Sequence, residues 1–397
     1  MPEPVDAPSS LVVWSPELLG YDFGPGHPMA PTRLLLTMRL VRGLGLLDAP
    51  GVREVDPAPA DDAALATVHD PRFVAAVREA SERGVTDPLR GLGTDDDPVF
   101  PGMHEAAARI FEGSLLAASA VWKGHAEHAV NIAGGMHHAK RDAASGFCIY
   151  NDAAGAVQRL LDEGAERVAY VDLDAHHGDG VESVFWDDPR VLTFSVHQSG
   201  RTLFPGTGYP TDVGGPRAEG TAVNVALPPR SDGRAFLRAV DAVLPPVLRA
   251  FEPQAVVSQH GCDAHALDPL TDLRVGVDAQ RDALQRVHAL AHEVADGRWV
   301  ALGGGGYAVI NVVPRAWANV VAEVVHAPLD PATPLPQDWR DAVSAGAGED
   351  APARMGDHPV EFRPWSSGFD PADELDRAIV ATRRAVFPYL GLDPLLD

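Results

Sequence analysis

Short apolar runs alternate with amphipathic stretches along most of the chain. The runs are rich in Val and Ile and only four to seven residues long, which is typical of buried strands; they cover residues 129–133, 167–173, 191–196, 221–226, 255–259 and 299–302. Helices are predicted where apolar residues recur at three- and four-residue spacing, over residues 102–121, 152–162, 233–249, 277–295 and 312–325. This alternation indicates an α/β fold, in which helices cover both faces of a parallel sheet.

The two ends of the chain are less regular. The first hundred residues are predicted to be mostly loop and helix, with a long irregular loop over 91–102. Residues 327–371 are rich in Pro, Ala and Asp and show no periodicity, so we expect a meandering surface segment followed by a closing helix near 374–386. Because no linker divides two cores, we predict one domain: a main part over 1–326 and a C-terminal extension, 327–397, packed on it.

Composition narrows the possible partners and compartment. The chain has 397 residues, and 56 acidic against 32 basic residues give a formal net charge of −24. That charge repels phosphate backbones, so a nucleic-acid partner is not expected. Cys148 and Cys262 form no CxxC pair, which excludes a disulfide-built scaffold and favours the cytoplasm. The sequence shows neither a signal-peptide pattern nor an apolar run long enough to span a membrane, so we expect no membrane association.

Four predicted strands are followed by His, Asp or Tyr residues set off by glycines. The segments are 134–138 (GGMHH), 174–180 (DAHHGDG), 260–263 (HGCD) and 303–307 (GGGGY). Sites in open parallel sheets form outside the carboxyl ends of the strands. A lone His or Asp at a strand end is usually structural, but four such segments together predict an active site.

Asp172, Asp174 and His176 have the spacing i, i+2, i+4, which places them on one side of an extended segment. Two carboxylates there repel each other unless a cation or a proton donor lies between them. With Asp263 from another strand, Asp174 and His176 would give three ligands for Zn²⁺ or Fe²⁺ and leave a position open, as catalytic sites do. The alternative is that one of the two aspartates only caps the following turn.

Two further groups are candidates for catalysis. His137 and His138 are not needed as ligands and could transfer protons, with Asp172 and Asp179 as the available carboxylate partners. The glycine run 303–306 lacks the features of a phosphate-binding loop. We interpret it as thin backbone that lets Tyr307 project into the site, where its hydroxyl could stabilise an oxyanion.

Five motifs extend these groups. They are HHAKRDAASGFCIYND (137–152), YVDLDAHHGDGVESVF (170–185), LFPGTG (203–208), GCDAHALDPL (261–270) and LGGGGY (302–307). In order and spacing they closely resemble the histone deacetylase family, and most of all its bacterial acetoin-utilisation branch. The resemblance covers residues 11–326, and the tail motifs PLPQDW and TRRAVFPYLGLDP also resemble that branch.

The resemblance implies an arginase/deacetylase fold with an eight-stranded, mostly parallel sheet, and zinc-dependent hydrolysis of protein N-acetyl-lysine to lysine and acetate. By this resemblance, Asp174, His176 and Asp263 are the metal ligands. His138, with Asp179 behind it, is the general base and acid, and His137, with Asp172 behind it, is the second histidine. Tyr307 polarises the substrate carbonyl. The acetylated partners it implies are cytoplasmic proteins, for example an acyl-CoA synthetase.

The remaining positions matched by the resemblance line the substrate path or hold an ion. Phe147 and Phe204 would form the walls of an acyl-lysine tunnel, which Gly146 lines between them. At the rim of the tunnel, Asp96 would hold the substrate backbone, and Leu270 would lie nearby. Arg33 would lie in an internal acetate channel. Ser195, with Asp172, Asp174, His176 and the carbonyl of Val196, matches a structural K⁺ site. Asp95 and Asp97 leave the register of the rim aspartate open by one residue.

One position departs from the family pattern, and another has no assigned role. Met136 stands where many eukaryotic relatives have Trp, and His265 has no assigned role.

Three other functions are alternatives. The segment after the predicted strand 167–173 resembles the D-x-H-x-D motif of binuclear manganese ureohydrolases, but Gly178 stands where that motif has its last Asp. A non-catalytic acyl-lysine-binding module would have lost a ligand or Tyr307. An acetylpolyamine deacetylase would differ only in its substrate. In polyamine-specific relatives, the position that matches Leu270 resembles a gatekeeping Glu.

Overall fold

Eight short parallel strands form the centre of the structure, a computed structural model that describes residues 10–347 and 351–397. The strands are β1 (Ser10–Val13), β2 (Val52–Val55), β3 (His128–Asn131), β4 (Val168–Asp172), β5 (Val191–Gln198), β6 (Ala222–Leu227), β7 (Ala255–Gln259) and β8 (Trp299–Leu302). They form one sheet in the order β2-β1-β3-β8-β7-β4-β5-β6, and every neighbouring pair is parallel. The expected α/β fold with an eight-stranded sheet is therefore confirmed.

The helices cover the sheet. They are α1 (Thr32–Gly43), α2 (Asp62–Leu65), α3 (Pro71–Arg83), α4 (Met103–Trp122), α5 (Asp152–Asp162), α6 (Asp179–Phe185), α7 (Gly233–Phe251), α8 (Val277–Ala295), α9 (Val313–Val324), α10 (Gln337–Ala347) and α11 (Glu374–Val386). α4 and α5 pack together against β3 and β7, and α8 and α9 pack together against the same two strands. No helix in the described part of the chain is long and apolar enough to cross a membrane.

The first hundred residues are mostly loop and helix, as expected, but they also contain two short strands that were not predicted, β1 and β2. β1 has only four residues, and so short an apolar run cannot be assigned from periodicity alone. β2 is an edge strand whose middle residues, Arg53 and Glu54, are exposed. Edge strands commonly carry such charges, which remove the apolar signal.

The C-terminal segment is also more regular than expected. α10 lies within residues 327–371. Among its residues 337–345, whose burial the structure describes, Trp339 and Val343 are buried, which is too few to show a period. Trp339 Nε1 donates a hydrogen bond of 2.9 Å to the carbonyl of Leu36 in α1. The closing helix α11 occupies the predicted residues, and a buried ion pair of 2.6 Å joins its Asp376 to Arg238 of α7. The extension thus packs on the main part.

Candidate active site

The four polar segments converge because β3, β8, β7 and β4 are neighbours in the sheet. Parallel strands end at the same edge, so the segments that follow them meet there. The glycines allow the close approach that this requires. A Cβ at Gly135 would lie 2.7 Å from the carbonyl oxygen of Gly303, and Gly135 has a φ of +95°.

The two histidines after β3 face each other, each with a carboxylate behind it. Their Nε2 atoms are 3.0 Å apart. His137 Nδ1 lies 2.8 Å from Asp172 Oδ2, and His138 Nδ1 lies 2.8 Å from Asp179 Oδ1. Both rings are buried. The predicted pairing of the two histidines with two aspartates is therefore present in the structure.

The environments of the two imidazoles separate their pKa values. Burial opposes the charged form of His137, but the Asp172 and Asp174 carboxylates outweigh burial and raise its pKa to about 9. Burial, followed by the charge of His137, lowers the pKa of His138 to about 3. Two rings in contact cannot both carry a full charge, so the pair titrates as a unit.

Asp174, His176 and Asp263 bring three ligand atoms together. His176 Nδ1 lies 2.8 Å from Asp263 Oδ2 and 3.2 Å from Asp174 Oδ1. The other carboxylate oxygens are held in place: Asp263 Oδ1 accepts from the Ala175 amide at 2.8 Å, and Asp174 Oδ2 accepts from Gln259 Nε2 at 2.7 Å. One oxygen of each carboxylate and one imidazole nitrogen are thus turned to a common point.

The charge balance at this point favours a cation. Both carboxylates are fully buried. Burial and the Asp174 carboxylate raise the pKa of Asp263 to about 7. Burial opposes the charged form of His176, but the two aspartates raise its pKa to about 10. The two carboxylates therefore attract positive charge, and an oxygen, oxygen, nitrogen set suits Zn²⁺ or Fe²⁺.

Tyr307 follows the glycine run and is half-buried. Its backbone amide donates a hydrogen bond of 2.7 Å to Asp268 Oδ2. Its ring packs edge-to-face on the Phe147 ring, with the two ring centroids 5.7 Å apart. Burial, followed by Asp263, raises the pKa of the hydroxyl well above its usual value, so it stays a neutral donor. Arg33 lies behind it, with the guanidinium carbon 5.7 Å from the tyrosine ring centroid.

Arg33 is a buried cation on the inner side of the site. Its Nη1 donates to the carbonyls of Gly304 and Gly306 at 3.0 and 3.2 Å. The guanidinium also lies over the Trp317 ring, 5.1 Å from its centroid. Arg33 Nε is buried without a hydrogen-bond partner among the described residues. This arrangement leaves donor capacity for an anion.

The predicted tunnel residues lie next to the histidines. The Phe204 ring packs edge-to-face on His138 at 5.0 Å and remains 45% exposed. A Cβ at Gly146 would lie 2.6 Å from His138 Cδ2 and 2.9 Å from Phe204 Cε1, so only glycine fits between the two rings. Phe147 contacts Tyr307 as described above. Two aromatic rings and a glycine thus border the approach to the histidine pair.

At the rim, the three consecutive aspartates differ in exposure. Asp95 and Asp96 are exposed, whereas Asp97 is buried. The Asp96 carbonyl lies 3.1 Å from His27 Nε2, and the His27 ring packs on Phe147. Asp97 faces inward, so it is not the rim residue. The exposed Asp96 side chain remains the rim candidate, with Asp95 beside it.

Leu270 is half-buried and is connected to Tyr307 through Asp268. Asp268 accepts hydrogen bonds from the Leu270 and Tyr307 amides at 3.0 and 2.7 Å. Burial raises the pKa of Asp268 to about 6. The sequence offered no reason to select Asp268, because its contacts are to backbone amides that no motif spacing reveals.

The other predicted residues are placed as follows. Ser195 pairs with Asp172 across β4 and β5, and its Oγ lies 2.8 Å from His197 Nδ1, while Val196 is the next residue of the strand. Met136 is buried beside His137. His265 lies 2.9 Å from Asp357 of the extension, which gives it a structural contact.

Several positioning residues were missed by sequence reasoning. Asp152 accepts hydrogen bonds from the amides of Gly135 and Met136 at 3.0 and 2.8 Å, and so fixes the turn before the histidine pair. Tyr170 donates to Asp172 Oδ2 at 2.7 Å. Gln259 acts in the same way on Asp174. These three side chains do not face the site, but they orient the groups that do.

Comparisons with known proteins agree with this geometry. A family model described as the histone deacetylase domain matches residues 27–324. The acetoin utilization protein AcuC of Bacillus subtilis (strain 168) is 41% identical over 336 residues, which cover 83% of this chain and 85% of that protein. AcuC of Staphylococcus aureus (strain MRSA252) is 36% identical over 330 residues, with 82% and 84% covered. The crystal structure of an HDAC homolog complexed with SAHA is 26% identical, with a TM-score of 0.80, and covers 95% of this chain and 100% of that one.

The chain therefore belongs to the histone deacetylase family and has the arginase/deacetylase fold. Within the family, it falls in the acetoin-utilisation branch, and it is a hydrolase with deacetylase activity. Gly178 offers no carboxylate to bridge a second metal ion, and a Cβ at this position would lie 2.2 Å from Asp172 Oδ2.

Proposed function

We propose that this protein is a zinc-dependent protein lysine deacetylase, which hydrolyses N-acetyl-lysine side chains to lysine and acetate. The observation that supports this most is the pair of histidines with Nε2 atoms 3.0 Å apart, directly beside the buried set Asp174, His176 and Asp263. Family membership supports the reaction class.

Asp174, His176 and Asp263 would hold the metal, Zn²⁺ or alternatively Fe²⁺. When bound, such an ion polarises a carbonyl and lowers the pKa of water. Three protein ligands leave room for substrate and water. We expect His176→Ala and Asp263→Ala each to lose one ion per chain in elemental analysis. Two tightly bound manganese ions per chain would contradict the mononuclear site.

The histidine pair would move the proton. Because His138 has a lowered pKa, its imidazole is neutral and can accept the proton of the attacking water at Nε2. The new C–O bond forms as this proton leaves, and the Tyr307 hydroxyl donates to the developing oxyanion. When the C–N bond breaks, the pair returns the proton to the amine nitrogen. Arg33 lies deeper and would attract the acetate product.

The rim supports a peptide substrate over a polyamine. A polyamine carries a second cationic amine, which a carboxylate at the mouth would stabilise, but the position is held by apolar Leu270. The exposed Asp96 carboxylate suits the N–H groups of a substrate backbone, which a polyamine lacks. An exposed charge pair is worth only about 0.2–1 kcal/mol, so we expect a preference rather than exclusion.

The test compares acetate release from an acetyl-lysine peptide and from acetylspermidine, using protein of measured metal content. We expect the larger kcat/KM for the peptide, and a smaller difference in Leu270→Glu. Leu267→Glu is the matched control, because Leu267 is exposed in the same loop. If acetylspermidine is the better substrate of the unmodified protein, the enzyme is an acetylpolyamine deacetylase.

Partners and compartment follow from the same proposal. Acetylated cytoplasmic proteins, for example an acyl-CoA synthetase, would supply the side chain. Two buried free cysteines, Cys148 and Cys262, support a reducing cytoplasm. The net charge of −24 argues against nucleic acid. A structural K⁺ would be held near Ser195, Asp172, Asp174, His176 and the Val196 carbonyl.

A further inference from the structure

A second cluster of histidines lies at the opposite edge of the sheet. His128 begins β3, whereas the catalytic pair follows the carboxyl end of the same strand. His288 and His292 project from α8 towards His128. Four strand residues at about 3.3 Å each separate the two edges by at least about 10 Å. The cluster is therefore distinct from the deacetylase site.

The three imidazoles present the same nitrogen to one another. His288 Nε2 lies 2.9 Å from His128 Nε2 and 3.1 Å from His292 Nε2. One ligand atom from each ring lies within 4.8 Å of the others. His288 and His292 are four residues apart on a helix, the spacing that lets two imidazoles reach one metal ion.

The opposite ring nitrogens determine where the protons are. His128 Nδ1 lies 2.9 Å from the carbonyl oxygen of Gly297, and His288 Nδ1 lies 3.2 Å from Glu323 Oε2. A carbonyl or carboxylate oxygen can only accept, so both Nδ1 atoms carry hydrogen and the neutral rings have lone pairs at Nε2. Two lone pairs 2.9 Å apart repel each other unless a cation or an extra proton lies between them.

The surroundings of the cluster match those of metal-binding histidines, which usually donate their other N–H to a carboxylate or a carbonyl. Glu323 is buried and is itself fixed by a 2.6 Å hydrogen bond from Gln285 Nε2. The Glu127 carboxylate lies 3.9 Å from His292 Nδ1. Two carboxylates thus surround the cluster and favour a positive charge at its centre.

We propose that His128, His288 and His292 bind a divalent transition-metal ion through their Nε2 atoms. Imidazole ligands suit Zn²⁺, Cu²⁺ and Ni²⁺, whereas Mg²⁺ and Ca²⁺ prefer oxygen. The His292 side chain is 42% exposed, so the ion can enter from solvent and keep a position open on that side. The alternative occupant is a single proton shared by the three rings.

The test is Zn²⁺ titration of untagged full-length protein after chelator treatment, with bound zinc measured by elemental analysis. Unmodified protein should bind one Zn²⁺ per chain more than His292→Gln, whatever the active site holds. His358→Gln is the matched control, since His358 is exposed and outside the cluster. We expect acetyl-lysine hydrolysis by His292→Gln to be unchanged. Equal zinc content in the unmodified protein and His292→Gln would overturn the proposal and favour the shared proton.

Two further measurements identify the ligands. Cu²⁺ bound at this site should show an EPR spectrum with hyperfine coupling to three nitrogens, and a spectrum from oxygen ligands alone would overturn the assignment. Glu323→Gln preserves the shape of a residue that orients His288, and loss of such a partner typically weakens metal affinity about 10–100-fold. Unchanged Zn²⁺ affinity in that variant, with the fold intact by circular dichroism, would count against the proposed site.

Discussion

Replacement of Tyr307 by Phe removes one hydroxyl and leaves the rest of the site in place. The ring would keep its edge-to-face contact with Phe147 at 5.7 Å and its position beside Arg33. The backbone amide would still donate to Asp268 at 2.7 Å. We therefore expect normal folding and unchanged metal content, so that any loss of activity reports on the hydroxyl alone.

The expected loss follows from the role proposed for that hydroxyl. Its raised pKa keeps it protonated throughout the neutral range, so it can donate to an oxyanion. Removing one such donor typically costs about 2.7–4 kcal/mol of transition-state stabilisation, or about 10²–10³-fold in kcat. Because the oxyanion forms only in the transition state, KM should change much less than kcat.

The assay is steady-state acetate release from an acetyl-lysine peptide, with metal content and thermal unfolding measured on the same samples. Tyr389→Phe is the matched control, because Tyr389 is exposed near the C-terminus. A kcat within a few-fold of the unmodified protein would refute the role of Tyr307. A raised KM with unchanged kcat would instead show that the hydroxyl binds the ground state.

Three more predictions concern the tunnel, the extension and a buried acid. Gly146→Ala places a Cβ 2.6 Å from His138 Cδ2, so kcat/KM should fall with metal content unchanged; unaltered kcat/KM would contradict the tunnel position. Asp376→Ala leaves Arg238 buried without its partner, and urea unfolding should show a loss of about 3–5 kcal/mol, whereas exposed Asp338→Ala should show little. Burial, then Asp96, raises the pKa of Asp97 to about 8. The folded state therefore holds this proton more tightly, and stability should fall as pH rises from about 4 to 8; in Asp97→Asn that fall should be shallower, and an identical pH profile would be contrary evidence.

Sequence patterns predicted the side chains that line the site better than the side chains that position them. Glycine-flanked His, Asp and Tyr residues after predicted strands can be recognised as site candidates because parallel strands end at one edge of the sheet. Asp152 and Gln259 were not visible, since they act through contacts to a backbone amide or to another side chain. β2 was missed for a related reason, because its position at the sheet edge depends on pairing with β1, and its own exposed residues carry no apolar pattern.

The two histidines of the active site become different through their carboxylate partners. Asp179 also pairs with the Lys140 ammonium, which competes with His138 for its negative charge. Asp172 instead accepts from the Tyr170 hydroxyl, which is neutral, so its charge acts mainly on His137. In the proposed mechanism, His137 therefore carries the proton and His138 acts as the base. Pairs of titratable groups whose surroundings separate their pKa values are the usual basis for assigning acid and base. Here the carboxylates of Asp172 and Asp174 make the difference, because they outweigh burial at His137, whereas burial and the charge of His137 lower the pKa of His138.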